Sequence, residues 1–177
     1  MMKSPLFFLL NFASLLSGTK AQLFRDTFNM RAKINIDAPL ATVVEFVCDP
    51  KNVRLWRRDV VDFLPDGEEG VGHTYTEEFQ LFKFVSPIFI PLQLTAAHPS
   101  FGCTLDVIYE DGGPEASISK LIEETSTGVR ITYDWNADTS FARLIVGFPV
   151  PASVASFAIR MVQTLNLRTL RRLLEDM

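Results

Sequence analysis

A chain of 177 residues, 47% hydrophobic and 21% charged, is long enough to bury one sizeable core and is best read as a single domain. Its formal net charge of −4 is unevenly placed: Lys3, Lys20 and Arg25 against Asp26 give residues 1–29 a net of +2, leaving −6 for the rest, and an acidic body without a Lys/Arg run argues against a nucleic-acid partner. Fifteen Phe exceed what a plain core needs, and a lined cavity is one outlet for them.

Met1 to Gln22 opens with Lys3 as a positive flank. An apolar run from Leu6 to Leu16 follows, broken by Asn11 and Ser14, and the segment closes on the small-x-small triplet Thr19-Lys20-Ala21. This is the pattern of a cleaved signal peptide ahead of a mature domain over 23–177. The run is too short to span a hydrocarbon core of about 30 Å. The expected location is then secreted or periplasmic. A true start at Met30 is the alternative and would leave the protein cytoplasmic, but Phe28, Met30, Ala32, Ile34 and Ile36 alternate with polar residues, so a strand is already under way before Met30.

Asp37-Ala38-Pro39 ends that strand and opens a helix over about 40–48, closed by Asp49-Pro50; a second short helix over about 51–57 carries Trp56. Val60 to Leu64 reads as a short strand and Pro65 to Gly70 as a turn. His73 to Leu81 alternates, with His73, Tyr75, Glu77, Phe79 and Leu81 inward. Phe82 to Ala97 is apolar but holds Pro87 and Pro91, which cannot donate to a ladder, so it reads as an edge strand or one with a bulge.

Phe101, Cys103, Leu105, Val107 and Tyr109 share one strand face. Asp111-Gly112-Gly113-Pro114 turns the chain, Ala116 to Glu124 returns, and Ser126-Thr127-Gly128 turns again. Val129, Ile131, Tyr133 and Trp135 form the inward face of the last strand. Ala137 to Pro151 reads as an apolar connecting loop with Phe141, Leu144, Ile145, Val146 and Phe148. From Pro151 to Met177 runs a long amphipathic helix whose stripe is Val154, Phe157, Ala158, Met161, Val162 and Leu165, continued by Leu170, Leu173 and Leu174. Arg160, Gln163, Arg168, Arg171 and Arg172 mostly take its other faces. At 1.5 Å per residue it spans roughly 35 Å, enough for a sheet to curl around.

The fold class expected is α+β: a curved antiparallel sheet wrapped around a long C-terminal helix, with two short helices after the first strand. The sequence resembles the START-like, Bet v 1-like superfamily, in its polyketide cyclase/dehydrase and lipid-transport (SRPBCC) branch. The likeness is carried by Ile34-Asn35-Ile36-Asp37-Ala38-Pro39, by Val43-Val44-Glu45-Phe46-Val47-Cys48-Asp49-Pro50 with Trp56 beyond, and by Gly70-Val71-Gly72-His73-Thr74-Tyr75. Gly128-Val129-Arg130-Ile131-Thr132-Tyr133 and Asn166-Leu167-Arg168-Thr169-Leu170 complete it, so that it covers about Phe28 to Asp176. The resemblance implies a helix-grip fold with a hydrophobic cavity between sheet and last helix. Val129, where Thr is usual in the family, and the strand with two prolines depart from its pattern.

Glu77 is the most informative titratable residue. A carboxyl against apolar walls has a raised pKa and can exchange a proton, with Tyr75 or Tyr109 polarising a carbonyl; the plainer reading is a rim carboxylate paired with an arginine or solvated. Glu77→Gln is expected to leave folding intact. Ligand-lining candidates are Trp56, Tyr75, Glu77, Phe79, Leu105, Val107, Tyr109, Tyr133, Trp135, Phe157, Met161 and Leu165, the aromatics being a mixture of stacking and core positions. His73 and His98 share no metal spacing with Cys48 and Cys103, so no metal or cofactor is expected, and the two cysteines look more like small core residues than a bridge. The glycine turns lack the context of phosphate cradles.

The function expected is binding, including transport, of a hydrophobic small molecule such as a lipid, isoprenoid or polyketide. One alternative is a metal-free cyclase/dehydratase-type lyase or isomerase using the same cavity; another is an interaction module with a filled core. A transient membrane contact through the loop over 141–151 is expected to be weak, because no basic cluster supports it. The pattern does not fix an oligomeric state.

Overall fold

Period-two alternation places Phe28, Met30, Ala32 and Ile36 on one face of the first strand and Val129, Ile131, Tyr133 and Trp135 on one face of the last, and all eight are buried. The computed structural model describes residues 27–81, 86–98, 100–108, 116–146 and 151–177; the leader-like segment, Tyr109, the 111–114 turn and Phe148 lie outside them. Along the chain run β1 (Thr27–Ile36), α1 (Leu40–Cys48), a 3-10 turn (Pro50–Asn52), α2 (Val53–Trp56), β2 (Val60–Pro65) and β3 (Thr74–Phe79). There follow β4 (Ile88–His98), β5 (Gly102–Val107), β6 (Ala116–Thr125), β7 (Gly128–Asp138), α3 (Thr139–Val146) and α4 (Ala152–Glu175).

The strands form one curved antiparallel sheet in the order β1-β7-β6-β5-β4-β3-β2. Every sequential pair from β2 to β7 is adjacent, as hairpin connections require. Only β1 and β2 are parted, at opposite edges, and α1 and α2 bridge the distance between them. The helix α4 packs along β1 and against α2. This is the helix-grip arrangement expected from the sequence. At the β6–β7 turn Gly128 has φ +123°, and a Cβ there would meet the Ile36 carbonyl oxygen at 2.2 Å, so β1 and the turn can close together only over glycine.

Four expectations need correction. Of the two alternatives for the strand with prolines, the edge is overturned, since it is internal between β3 and β5, and the bulge holds. The Pro91 carbonyl accepts from Ile108 N–H at 3.0 Å, so its peptide edge faces β5 just past Leu92↔Val107, and the missing N–H removes only the reciprocal bond at that end and none to β3; the bulge expected of this strand lies between Leu94 and Ala96. The 137–151 connection is not a plain loop. β7 continues to Asp138, whose carboxylate accepts from Ser140 N–H at 2.6 Å and caps α3, while Phe141 and Ile145, four apart, turn into the core.

The third correction concerns α4. Its buried stripe is Ala155, Ile159, Gln163, Asn166, Leu167, Leu170 and Leu174, whereas Phe157, Met161 and Leu165 are 70%, 52% and 48% exposed. The helix is rotated away from its most apolar side because Gln163 and Asn166 donate to a buried carboxylate, and leaving such a charge unpaired costs more than exposing three apolar side chains.

The fourth is Cys48 and Cys103, which form a disulfide between the end of α1 and β5, with Cα atoms 5.8 Å apart. The sequence places them on separate elements, and only the packing of α1 across the sheet brings them together. A bridge across 55 residues restricts the unfolded chain by roughly 4 kcal/mol in the chain-entropy account. The protein denatured without reductant should therefore take up no iodoacetamide, and the Cys48→Ser/Cys103→Ser variant should unfold at clearly lower urea. Labelling of both cysteines in unreduced protein would contradict the pairing.

Candidate functional site

The site grows from the end of α2. Arg57 closes that helix, its N–H bonded to Val53 O at 2.9 Å, and the extended backbone that follows brings Asp59 beside it; both side chains are about 2% exposed or less. Glu77 comes in from β3 on the inward face foreseen by alternation. Arg57 forks onto it, Nη1 to Oε2 at 2.7 Å and Nη2 to Oε1 at 2.9 Å, and Nη2 also donates to Asp59 Oδ2 at 2.8 Å. From α4, Gln163 Nε2 reaches Asp59 Oδ2 at 3.1 Å and Asn166 Nδ2 reaches Oδ1 at 2.5 Å, and Asn166 Oδ1 accepts from Arg58 N–H at 3.1 Å. One buried network thus joins the α2–β2 connection, β3 and α4.

Lys120 stands on the neighbouring part of the same interior. It lies on the inward face of β6, donates to Val47 O in the last turn of α1 at 3.0 Å, and sits 5.6 Å from the centre of the Trp56 ring. Burial, reinforced by the Arg57 charge and opposed by Glu77, lowers its pKa to about 7. Burial raises the Glu77 pKa against the pull of Arg57. Burial would lower that of Arg57, but Asp59 and Glu77 hold it well above its ordinary value. With Arg57, Asp59 and Glu77 all ionised the group carries one net negative charge, which a protonated Lys120 neutralises.

The walls are aromatic. Trp56 meets Tyr133 edge to face at 6.4 Å, and Trp135 meets Phe79 at 6.4 Å and Phe141 at 5.7 Å. Tyr133 is the cross-strand partner of Lys120, so their side chains rise together from the sheet. Three buried polar atoms have no hydrogen-bond partner among the described residues: Trp56 Nε1, Tyr133 Oη and Trp135 Nε1. Burial, more than the opposed effects of Arg57 and Glu77, raises the Tyr133 pKa, so the hydroxyl keeps its proton.

Of the residues singled out by sequence, Trp56, Tyr75, Glu77, Phe79, Leu105, Val107, Tyr133 and Trp135 are brought together on the inward side. Tyr75 is committed to the turn, its hydroxyl accepting from Gly70 N–H at 2.8 Å. Tyr109 lies outside the described residues. Phe157, Met161 and Leu165 lie on the outer face of α4, where they line an external recess of about 310 Å³ with Arg160, Thr164 and Arg168, and so cannot face an interior ligand. Sequence reasoning missed Arg57, Asp59, Lys120, Gln163 and Asn166. Lys120 carried a signal, since Ala116, Ile118 and Ile122 put it on an apolar face.

The sequence matches no known family profile and no curated protein. Its structure is similar to that of StfQ, a di-domain ARO/CYC from the steffimycin biosynthetic pathway, at TM-score 0.67 and 10% identity over 85% of this chain; the chain spans about half of StfQ, 52%. It is also similar to the KanY protein, at TM-score 0.62 and 15% identity over 85% of this chain and 99% of KanY. Protein CV1439 from Chromobacterium violaceum is a third, at TM-score 0.61 and 15% identity over 83% and 96%. These likenesses establish the fold, a curved antiparallel sheet gripping a long C-terminal helix, as expected from the sequence.

Glu77→Gln therefore should not leave folding intact: it removes one of two carboxylates from a buried guanidinium, and urea unfolding should show a loss of roughly 3–5 kcal/mol. Unchanged unfolding would contradict the network. Lys120 sets a pH dependence. The unfolded chain binds its proton up to about 10.5 and the native chain only up to about 7, so between these values the unfolded state holds more protons and stability rises with pH. Below about 7 the cost of charging the buried amine is fully present. Urea midpoints of the parent should climb over this window and those of Lys120→Met should not; parallel curves would show that Lys120 is not held deprotonated.

Proposed function

We propose that the protein binds a hydrophobic small molecule bearing a carbonyl or hydroxyl oxygen, in the interior between the sheet, α2 and α4. The observation that carries this reading is the set of unpartnered interior groups, Trp56 Nε1, Tyr133 Oη and Trp135 Nε1. A buried polar group without a partner costs about 1–3 kcal/mol, and a ligand oxygen placed between Trp56 and Tyr133 would offset that cost while apolar rings take up the rest of the molecule. Glu77 serves such a site indirectly, by fixing Arg57 and through it the end of α2. The ARO/CYC designation of StfQ and its place in the steffimycin biosynthetic pathway favour a polyketide among the ligand classes expected. The disulfide supports an oxidising compartment and hence secretion after cleavage near Gln22.

A second reading, chemistry in the same interior, is favoured by one pairing. Lys120, with its pKa at about 7, and Tyr133, protonated and unpartnered, are cross-strand neighbours. The amine could take a proton from the carbon beside a carbonyl whose oxygen accepts from Tyr133, the enolate step that an intramolecular condensation needs. Glu77 is a poor base by comparison, since both of its oxygens are held by Arg57.

Native mass spectrometry of the protein from its source should find a small apolar molecule bound. Tyr133→Phe should weaken binding of that molecule about tenfold, the effect of about 1.4 kcal/mol, without lowering the stability of the free protein, because no hydrogen bond to a described residue is lost. Equal affinity, or a Tyr133→Phe variant that is itself less stable, would sink the reading. Lys120→Met separates the two readings: it spares binding in both and removes turnover only in the second.

A further inference from the structure

The outer face of α4 brings an apolar row and a basic row together. Phe157, Met161 and Leu165 form an exposed row at four-residue spacing, about 12 Å long, and Arg160, Thr164 and Arg168 form the adjoining row, with a recess of about 310 Å³ between them. Arg172 extends the same face, and Arg58, whose backbone N–H is held by Asn166, is also exposed. Among the described residues, Arg58, Arg160, Arg168 and Arg172 have no ion-pair partner. From Ala152 to Glu175 the charges are four Arg against one Glu, +3, so the other residues of the chain carry −4 − 3 = −7. Basic charge in this acidic protein is therefore gathered around its outward apolar row.

We propose that this face of α4 docks on the surface of an anionic phospholipid bilayer. The row of Phe157, Met161 and Leu165 enters the boundary between headgroups and acyl chains, and the guanidiniums on its flanks take phosphates. A bilayer satisfies both halves of the face at once. A second copy packed antiparallel, helix to helix, would instead bring arginine rows against each other. No helix among the described residues is long and apolar enough to cross a membrane. The inference is independent of what the interior binds, although the opposite side of the same helix carries Gln163 and Asn166 of the buried network.

The test is co-sedimentation of the full chain with phosphatidylcholine vesicles, with and without phosphatidylglycerol, combined with peroxide oxidation of individual methionines. Phosphatidylglycerol should promote binding that raised salt reverses, and Arg160→Gln/Arg168→Gln should weaken it about tenfold or more. Met161, which is exposed, should be protected from oxidation by anionic vesicles, while Met177, 71% exposed, should not. This site-resolved readout excludes contact made only by the apolar run of residues 6–16. Equal oxidation of Met161 with and without anionic vesicles would overturn the proposal, as would equal binding to neutral vesicles. A dimer in light scattering that Phe157→Ser/Met161→Ser abolishes would overturn it in favour of a second copy as the occupant.

Discussion

A guanidinium held between two carboxylates, with almost no access to water, sets conditions that much of the rest of the structure has to meet. Arg57 cannot lose its proton, so Asp59 and Glu77 must be present and aligned, and each carboxylate needs further donors for its remaining lone pairs. Glu77 meets that demand through the Arg57 fork, and Asp59 through Gln163 and Asn166. The second pair fixes the rotation of α4 about its own axis. Once Gln163 and Asn166 point inward, Phe157, Met161 and Leu165 must point out, so one buried ion network determines both what faces the interior and what faces the outside.

The same dependence explains what could and could not be read in the sequence. The sheet was legible because its information is local: alternation placed Tyr75, Glu77, Phe79, Tyr133 and Trp135 inward, and hairpin turns gave a meander without crossovers. The two short helices and the long last helix followed from proline punctuation and period. The face of α4 was misread because counting apolar residues weighs Phe157 and Met161 above Gln163 and Asn166, and the inversion comes from a charge about a hundred residues away in sequence. Arg57 and Asp59 were invisible for a related reason: on a short connection after Trp56 they look like solvated residues, and only the approach of β3 and α4 buries them. The cysteines likewise depend on how α1 lies across the sheet. Asp138 was readable as a cap, and the apolar content of the segment after it obscured the short helix that it starts.

Folds of this kind are shared by proteins with unrelated tasks, so the side chains and not the architecture carry the functional argument. In this chain the buried network of Arg57, Asp59, Glu77, Gln163 and Asn166 is satisfied almost throughout, and beside it stand three aromatic polar groups with no hydrogen-bond partner among the described residues. That contrast separates structural polarity from polarity available to a ligand. Arg57, Asp59, Glu77, Gln163 and Asn166 hold the frame; Trp56, Tyr133 and Trp135 offer hydrogen bonds; Lys120 lies between the two sets, tied to α1 yet close to deprotonation at neutral pH.

The most direct test of this account is a crystal structure of the protein purified from its source with whatever it carries. The account predicts density for a small molecule in the interior, with an oxygen within hydrogen-bond distance of Tyr133 Oη or Trp56 Nε1 and the Arg57 fork on Glu77 intact beside it. An interior closed by protein side chains alone, with Tyr133 Oη bonded to another residue, would contradict it.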